Sequence, residues 1–357
     1  MIRGLRTAVA ALGLLGATAP AHAWDYPGHR IVGQIADLVL QQHYPDAYKK
    51  VQALLATKDA SGKDVQRTLR EVAVFADCAK RGDEPYCGRP PSDEEKAYAA
   101  RNPHHATYHF TDVPVEQRRY VAGTAGTADT DVVQMVGYLV AQLRTKPTAK
   151  KKDVDLTDTE AVWLIAHLVG DMHQPLHVGA KYYDKSCTKG TDPNRAGEPP
   201  TFGIGSTIAE TVGGNQIHLT APAPAVPPAE NLHFYWDSAA VVRAMQAAGV
   251  GGSEQDFARL LAEFPPSGWK PKGDAASWAT QWASEILPLA SEAHTRLTIR
   301  KRAKPAPIGP TANCAWETTL DKSYQDWAKE QVRVQLAKAG FRLAALLNEI
   351  FKPAKEN

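Results

Sequence analysis

The most constraining feature of this sequence is a histidine and aspartate pair that occurs, at the same spacing, in two separate segments. His167 and Asp171 are four residues apart, and His233 and Asp237 repeat that spacing. On a helix such residues lie one turn apart on one face, so each pair can bind one zinc ion through side-chain N and O atoms. A single pair of this kind is more often a surface hydrogen bond or ion pair. Two pairs, the first followed after a proline by His177, favour a metal centre.

The N-terminal segment 1–23 predicts a secretory signal peptide. It has two arginines near its start, an apolar run over 8–17 and an Ala-His-Ala cleavage site. The apolar run is too short to cross a bilayer, which disfavours the alternative of a membrane anchor, and no other segment is apolar enough to cross a membrane. Cleavage would leave residues 24–357 as one domain and free the α-amino group of Trp24. That nitrogen and a neighbouring carbonyl can chelate a metal. His29, expected at the head of the first helix, would either complete this site or serve as a capping or core histidine.

The charge balance of the predicted mature chain excludes one class of nucleic-acid binder. Two of the 41 basic side chains lie in segment 1–23, which has no acidic residue, so 39 basic side chains balance 39 acidic ones. A neutral chain does not fit a protein that binds duplex DNA by broad neutralisation of phosphates. Any anionic substrate would have to be held locally, which bound metal can do.

All four cysteines follow the predicted signal peptide, and an even number in an exported chain favours two disulfides. Of the three possible pairings we favour Cys78–Cys87, which closes a short loop, with Cys187–Cys314. A zinc site made of these four cysteines is the weaker alternative, because they contain no Cys-x-x-Cys pair and better ligands are present.

The hydrophobic pattern predicts a mostly helical chain. Apolar residues recur at helical spacing over 31–39, 69–76, 132–140, 162–169 and 332–350. Sustained alternation of the strand type is missing, although a short hairpin around Gly213-Gly214-Asn215 is possible. Between 178 and 230 the chain is rich in Gly, Pro, Thr and Ser. A domain boundary there is one interpretation, but we favour a long surface loop because candidate ligands lie on both sides of it.

Taken in chain order, these motifs resemble the zinc-dependent single-strand-specific nucleases of the S-one/P-one (S1/P1) type, which share a fold with bacterial zinc phospholipase C. The resemblance covers nearly all of the mature chain and implies an all-α, compact, single-domain helical fold with three zinc ions in a cleft. The motifs that carry it are Trp24 with Gly28-His29, Phe75-Ala76-Asp77, Tyr108-His109-Phe110-Thr111-Asp112, His167-x3-Asp171-x-His173-Gln174-Pro175-Leu176-His177, Gly213-Gly214-Asn215, Asn231-x-His233-x3-Asp237 and 339–348.

The resemblance implies how the ligands divide among the three ions. One zinc would be held by Asp77, His109, His167 and Asp171. A second, close to the first, would be held by Trp24, His29 and a shared Asp171. The third would be held by His177, His233 and Asp237, with room for water or a phosphate oxygen. Nitrogen and oxygen donors of this kind are typical of catalytic zinc.

The mechanism implied by the resemblance needs no serine or cysteine nucleophile. Hydroxide bridging the close pair attacks phosphorus in line, and the third zinc stabilises the leaving 3′-oxygen, so the products carry 5′-phosphates. The family has an arginine three residues after the aspartate of Trp-Ala-Asp. Here Lys80 stands in its place and Phe75 replaces the tryptophan; lysine keeps the charge but loses the bidentate geometry, so it is either a catalytic cation or a solvated surface residue.

The resemblance also implies substrate contacts. Phe110 would stack on a base, unless it is an ordinary core residue, and stacking of this kind favours unstacked single strands. Asp112 would meet the base edge, Asn215 would contact substrate, and Tyr182 or Tyr183 would form the opposite wall. The sequence departs most from the family after His177, where an inserted stretch includes Cys187 and Phe202.

The predicted activity is therefore endonucleolytic cleavage of single-stranded DNA and RNA, with hydrolysis of 3′-nucleotides as a second activity. A zinc-dependent phospholipase C and a non-enzymatic secreted zinc-binding protein are the alternatives. We expect a monomer without a stable protein partner or membrane association, located in the periplasm or secreted. Histidine ligands must be unprotonated to bind zinc, so we also predict that activity falls in acid.

Overall fold

The structure is a computed structural model that describes residues 24–58, 61–80, 87, 89–146, 151–196, 208–224, 228–303 and 314–352. The predicted signal peptide 1–23 and Phe202 lie outside the described residues, as do residues 225–227 of the Pro-rich stretch 221–228.

Helices dominate the described chain, as the hydrophobic periodicity predicts. The α-helices are α1 Tyr26–His43, α2 Pro45–Leu55, α3 Leu69–Val72, α4 Phe75–Ala79, α5 Asp93–Arg101, α6 Val132–Thr145, α7 Asp158–Asp171, α8 Pro193–Ala196, α9 Leu232–Phe234, α10 Ala240–Ala247, α11 Glu254–Glu263, α12 Trp278–Thr295 and α13 Lys322–Phe351. Short 3₁₀ turns cover His105–Thr107, Pro175–His177 and Ala275–Ser277, and a π-helical turn covers Tyr235–Ala239.

Within the described residues the strands are short and form four small sheets, which is more β-structure than the predicted all-α fold contains. They are β1 Ala56–Lys58, β2 Asp64–Gln66, β3 Val113–Pro114, β4 Gly179–Ala180, β5 Tyr182–Asp184, β6 Ile208–Glu210, β7 Ile217–Ala223, β8 Ala229–Asn231, β9 Arg300–Lys301 and β10 Trp316–Thr318. The largest sheet has the order β8-β7-β10-β9, and the pairs β1-β2, β3-β4 and β5-β6 form the others. Most strands have two or three residues, too few for alternation to appear in a sequence.

A short hairpin at Gly213-Gly214-Asn215 is not formed. The turn joins β6 to β7, but these strands belong to different sheets: β6 pairs with β5, and β7 pairs with β8 and β10. The chain between 178 and 230 therefore contains ordered sheet segments in its described parts, rather than one long loop.

Helix α7 is the centre of the molecule. Each of its residues from Glu160 to Asp171 is buried, which is the pattern of a helix enclosed on all sides. A capping box starts it: the Thr157 hydroxyl accepts from the Glu160 N–H, and the Glu160 carboxylate accepts from the Thr157 N–H. The last two turns of this rigid element carry His167 and Asp171.

Helices α1 and α13 pack closely beside this centre. Gly340 of α13 has no side chain, and a Cβ there would collide with the side chain of Ile35 in α1. The short contact lets the first helix of the described chain lie against the last one. His29, in the first turn of α1, is thereby held next to α7.

Both predicted disulfides are present, Cys78–Cys87 and Cys187–Cys314, with Cα atoms 5.4 and 5.6 Å apart. The first links the end of α4, which carries Asp77, to the segment before α5. The second ties the loop after β5 to the start of β10. Among the helices that the structure describes, no helix has the length and apolar character needed to cross a membrane.

Candidate metal centre

One buried cluster combines the second His–Asp pair with His177. The Nδ1 of His233 donates to the carbonyl of Gly213 at 2.8 Å, and the Nδ1 of His177 donates to the carbonyl of His109 at 2.9 Å. Since each Nδ1 carries the proton, each Nε2 keeps its lone pair, and the two Nε2 atoms face each other at 3.0 Å. Asp237 Oδ2 lies 3.3 Å from the Nε2 of His233. Three acceptors converge here, an arrangement that a cation stabilises.

A second cluster is organised around Asp171. Its Oδ1 lies 3.3 Å from His29 Nε2, while its Oδ2 lies 3.1 Å from both His109 Nδ1 and His167 Nε2. The Nδ1 of His167 donates to the Ala73 carbonyl at 2.6 Å, so its Nε2 is also an acceptor. The two oxygens of Asp171 therefore face different ligand groups, the arrangement expected of a carboxylate that bridges two neighbouring ions.

Asp77 completes this second cluster from the side of α4. Its Oδ1 lies 3.6 Å from His109 Nδ1 and 3.7 Å from His167 Nε2, and its Oδ2 lies 4.0 Å from His29 Nε2. Ligands about 2.0–2.1 Å from a tetrahedral zinc lie about 3.3 Å from one another. The distances in both clusters scatter around that value.

Unsatisfied polar atoms give an independent test of whether these residues suit metal ions. Within the described chain, both ring nitrogens of His29, both oxygens of Asp77, Oδ1 of Asp171 and Oδ2 of Asp237 are buried without a hydrogen-bond partner. Buried polar groups are otherwise almost always paired, and an unpaired carboxylate is costly. The donor set of imidazoles and carboxylates fits zinc.

The environment keeps most of these histidines neutral. Burial lowers the pKa of His29 to about 3 and holds the pKa of His109 and of His233 well below the usual range. Burial raises the pKa of Asp77 to about 6. His167 differs: although burial opposes it, the carboxylates of Asp171 and Asp77 raise its pKa. Neutral imidazole is the form that binds metal.

Trp24 lies against the second cluster. Its side chain is fully buried, and its indole N–H donates to the Gly170 carbonyl at 2.7 Å. The next residue, Asp25, donates its backbone N–H to the carbonyl of Asp237 at 3.0 Å and caps α1. These two hydrogen bonds hold the start of the described chain beside His29, between the end of α7 and the turn that carries Asp237.

The His233–Asp237 pair lies on an irregular helix. The π-helical turn Tyr235–Ala239 directly follows α9, and such turns often occur at functional sites. The Gly213 carbonyl that orients His233 belongs to a strained turn, with positive φ of 52° at Val212 and at Gly213. A side chain at Gly213 would collide with the Leu176 carbonyl, so glycine is required there.

Lys80 follows α4 directly and lies half-buried near the clusters. Burial is the main reason why the pKa of His109 is low, and the positive charge of Lys80 is the second reason. The same charge acts to lower the pKa of Asp77. Among the residues that the structure describes, the Lys80 ammonium pairs with no carboxylate. The cation is therefore close to the centre and available to an anion.

The predicted substrate residues divide into two groups. Phe110 is half-buried next to His109, and Asp112 lies two residues after Phe110. Asn215 is half-buried in the turn beside Gly213, and its side-chain amide donates to the Val212 carbonyl at 2.9 Å. Tyr183 does not fit its predicted role. Its ring is 5% exposed, stacks on Trp316 and is covered by the Lys181 ammonium.

Tyr182, the alternative to Tyr183, is also fully buried, and its hydroxyl donates to the Asp112 carbonyl at 2.6 Å. Pairing of β5 with β6 draws both tyrosines inside, so neither offers a ring face to a base. Neither Tyr182 nor Tyr183 is therefore placed to form a wall of the substrate site.

The sequence pattern gave no role to Gln174, although Gln174 lies inside the motif that runs from His167 to His177. Its amide donates to Asp237 Oδ1 at 2.7 Å, and its carbonyl oxygen accepts from the Leu176 N–H at 2.5 Å. Gln174 thus occupies one oxygen of Asp237 and leaves Oδ2 to face the histidines. Partners of this kind commonly orient metal ligands.

Fold and site together define a mostly helical protein with buried His/Asp groups that could hold metal ions. Three groups in the described chain could each hold an ion: His29 with His167 and Asp171; Asp77 with His109 and His167; and His177 with His233 and Asp237. The comparison with known sequences adds the family. The chain belongs to the S1/P1 nuclease family, whose sequence model matches residues 24–352.

Named relatives agree with this assignment. Endonuclease 2 of Arabidopsis thaliana is 25% identical over 355 residues, which cover 95% of this chain and 94% of that protein. Nuclease P1 of Penicillium citrinum is 24% identical over 349 residues, covering 92% and 97%. The resemblance inferred from the motifs is confirmed. The chain is a nuclease of a zinc-dependent family that acts on nucleic acids, and its disulfides are consistent with an exported protein.

Proposed function

We propose that this protein is a zinc-dependent, single-strand-specific endonuclease that leaves 5′-phosphates on DNA and RNA and also hydrolyses 3′-nucleotides. The observation that carries the proposal is the convergence of buried acceptors, above all the His177 and His233 Nε2 atoms that face each other at 3.0 Å. Such an arrangement is stable around cations, and a multinuclear zinc centre suits hydrolysis of phosphodiesters.

Three zinc ions would be held by the two clusters. The Asp171 cluster would hold two, because Asp171 presents one oxygen to His29 and the other to His109 and His167. The cluster around Asp237 would hold the third. Zinc at such sites lowers the pKa of water to about 7 and stabilises negative charge on phosphoryl and leaving oxygens.

Trp24 would contribute its α-amino nitrogen and carbonyl oxygen once segment 1–23 is removed. Its buried indole and the capping of α1 by Asp25 support this proposal, because they fix the new chain end beside His29. Removal of the predicted signal peptide before Trp24 would direct the enzyme to the periplasm or outside the cell.

The residues around the metals would position the substrate. The Lys80 ammonium would attract the scissile phosphate, and Asn215 would hold a neighbouring polar group. Phe110 would stack on a base, which contributes about 1–3 kcal/mol per base. A base inside a duplex cannot leave its stack without loss of pairing, so this contact favours single strands.

Digestion by the zinc-loaded mature chain tests this function. We expect hydrolysis of denatured DNA, RNA and 3′-AMP, slow hydrolysis of duplex DNA, loss of activity with a chelator, and recovery with zinc. Turnover of phosphatidylcholine without turnover of denatured DNA would instead assign a phospholipase C. Bound zinc without hydrolysis of any of these substrates would assign a non-enzymatic zinc protein.

A matched pair of variants links the activity to the site. His233→Ala removes a ligand of the third zinc, so we expect one ion fewer and at least about 100-fold lower kcat, because metal stabilisation of charge contributes several kcal/mol. His43→Ala removes an exposed histidine at the end of α1 and should change neither quantity.

A further inference from the structure

Two of the sequence motifs contain buried polar residues that are not candidate ligands. His173 lies two residues after Asp171, and Arg342 lies in the segment 339–348 of α13. The structure brings them together: Arg342 Nη1 donates to His173 Nε2 at 3.1 Å. Their exposed fractions are 3% for Arg342 and 1% for His173. This hydrogen bond therefore links the last helix of the described chain to the segment that carries candidate ligands of both clusters.

The imidazole of His173 connects Arg342 to the end of α7. A guanidinium can only donate, so His173 Nε2 accepts and its Nδ1 carries the proton. That Nδ1 donates to the Val169 carbonyl at 2.7 Å. The last carbonyls of a helix lack partners within the helix, and a histidine near the helix end can bind one of them. His173 thus closes the last turn of α7, and Arg342 fixes the orientation of its ring.

Three further acceptors hold the Arg342 guanidinium in place. Its Nε donates to the Trp269 carbonyl at 3.0 Å, and its Nη2 donates to the Gly268 carbonyl at 3.0 Å and to the carboxylate of Glu285 in α12. A buried charge needs such partners, and a planar guanidinium serves several acceptors at once in a fixed geometry. Because its other contacts come from separate segments, Arg342 is a rigid anchor for the imidazole of His173.

The turn that contains His173 connects the two candidate metal clusters. Asp171 ends α7, and its carbonyl accepts from the Gln174 N–H at 2.9 Å. The Gln174 carbonyl in turn accepts from the His177 N–H at 3.0 Å, and the Gln174 side chain donates to Asp237. A shift of this turn would move Asp171 in one cluster. It would also move His177 and, through Gln174, Asp237 in the other.

We propose that Arg342 is a positioning residue for the metal centre: through His173 it holds the turn that connects the two clusters, and so keeps their candidate ligands at the spacing that zinc requires. This inference rests on zinc binding by the two clusters, as in the function proposed above. In the described chain the hydrogen bonds of Arg342 reach none of the candidate ligands, so it acts through His173.

Zinc affinity of the folded chain tests the inference. A purely structural contact would change the free energy of unfolding and leave the zinc affinity of the folded chain as it is. Arg342→Lys keeps the charge beside Glu285 but loses the planar fork. We expect zinc binding to weaken about tenfold at two or more of the three ions, whereas Gln174→Ala should weaken one. Competition with a chelating dye measures the affinities, and circular dichroism shows that each variant is folded.

A second variant tests whether the effect passes through the imidazole. His173→Asn keeps an amide donor for the Val169 carbonyl and loses the acceptor for Arg342, so it should weaken zinc binding to a similar extent. Combining it with Arg342→Lys should add little, because both substitutions remove the same contact. Arg333→Lys is the matched control: Arg333 is an exposed residue of the same helix that pairs with Glu330, and its substitution should leave every zinc affinity unchanged.

Unchanged zinc affinity in a folded Arg342→Lys chain overturns the inference, even if its free energy of unfolding is lower. Additive effects of the two substitutions also overturn it, because Arg342 would then not act through His173. If Arg342→Lys does not fold, His173→Asn decides the question by the same measurement. A wild-type chain that binds no zinc would instead reject the metal centre on which the inference depends.

Discussion

Replacement of Gly170 by alanine tests whether close packing around His29 is needed for the metal centre. Gly170 lies in the last turn of α7, and a Cβ there would lie 2.9 Å from His29 Nδ1 and 3.2 Å from its Cε1. The imidazole has little room to retreat, because it is fully buried and stacks on His167 with ring centroids 3.8 Å apart. The ring must therefore move by a few tenths of an ångström, away from its position beside Asp171.

Two effects of opposite sign decide the stability of Gly170→Ala. Overpacking a buried site costs about 1–3 kcal/mol, and alanine gains about 0.5–1 kcal/mol over glycine in a helix. We expect net destabilisation of about 1–2 kcal/mol. The effect on zinc should be larger, because metal ligands tolerate displacements of only about 0.2 Å. Zinc affinity should fall at least about tenfold, and kcat/KM should fall about 10–100-fold.

Gly137→Ala is the matched control, since Gly137 lies inside α6 and nothing lies within 4 Å of the added Cβ. This variant should gain about 0.5–1 kcal/mol and keep full activity. Thermal unfolding with and without zinc, zinc competition with a chelating dye, and hydrolysis of denatured DNA measure all three quantities. Equal behaviour of the two variants would refute the reasoning.

Three further predictions concern different parts of the molecule. Gln174→Ala frees the second oxygen of Asp237 and should weaken binding of one zinc by about 10–100-fold, measured by zinc titration, whereas Gln142→Ala, which removes an amide that donates to Leu156, should not. One extra residue before Trp24 converts its amino group into an amide and should reduce both zinc content and activity; full activity of that chain would exclude the amino group as a ligand. Burial raises the pKa of Asp37 to about 7, so the folded state binds a proton that the unfolded state releases, and stability contributed by the neutral form is lost as pH rises. Metal-free Asp37→Asn should therefore have a free energy of unfolding about 1–3 kcal/mol higher than that of the wild type at about pH 8. Urea titrations should show a smaller difference at about pH 5. An equal difference at both pH values would contradict the raised pKa of Asp37.

The helical elements and the placement of each His–Asp pair on one helical face could be predicted because they depend on local spacing. His167 and Asp171 share one face of α7 as the four-residue separation predicts, and apolar periodicity located α1, α6 and α13. The disulfide pairings were also predicted from the sequence. These features follow from helix geometry and from the small number of possible pairings.

The orientation of the candidate ligands could not be predicted, because it depends on backbone groups far away in sequence. The carbonyls of Ala73, His109 and Gly213 fix the tautomers of three histidines. Each contact is made by a backbone atom, which leaves no residue type to recognise in the sequence. The same applies to the π-helical turn at Tyr235–Ala239.

The predicted tyrosine wall failed for a related reason. Tyr183 lies on a strand of three residues, too short for its buried face to be identified by alternation. Its ring packs on Trp316 of β10, in the region that the Cys187–Cys314 disulfide holds together.

Metal analysis of the mature chain beginning at Trp24 tests the central claim most directly. Zinc measured by mass spectrometry, combined with anomalous diffraction at the zinc edge, should give three ions per chain. Two should lie on either side of Asp171 and the third against His177, His233 and Asp237. A chain that hydrolyses denatured DNA with these positions empty, or with zinc bound elsewhere, would contradict the account.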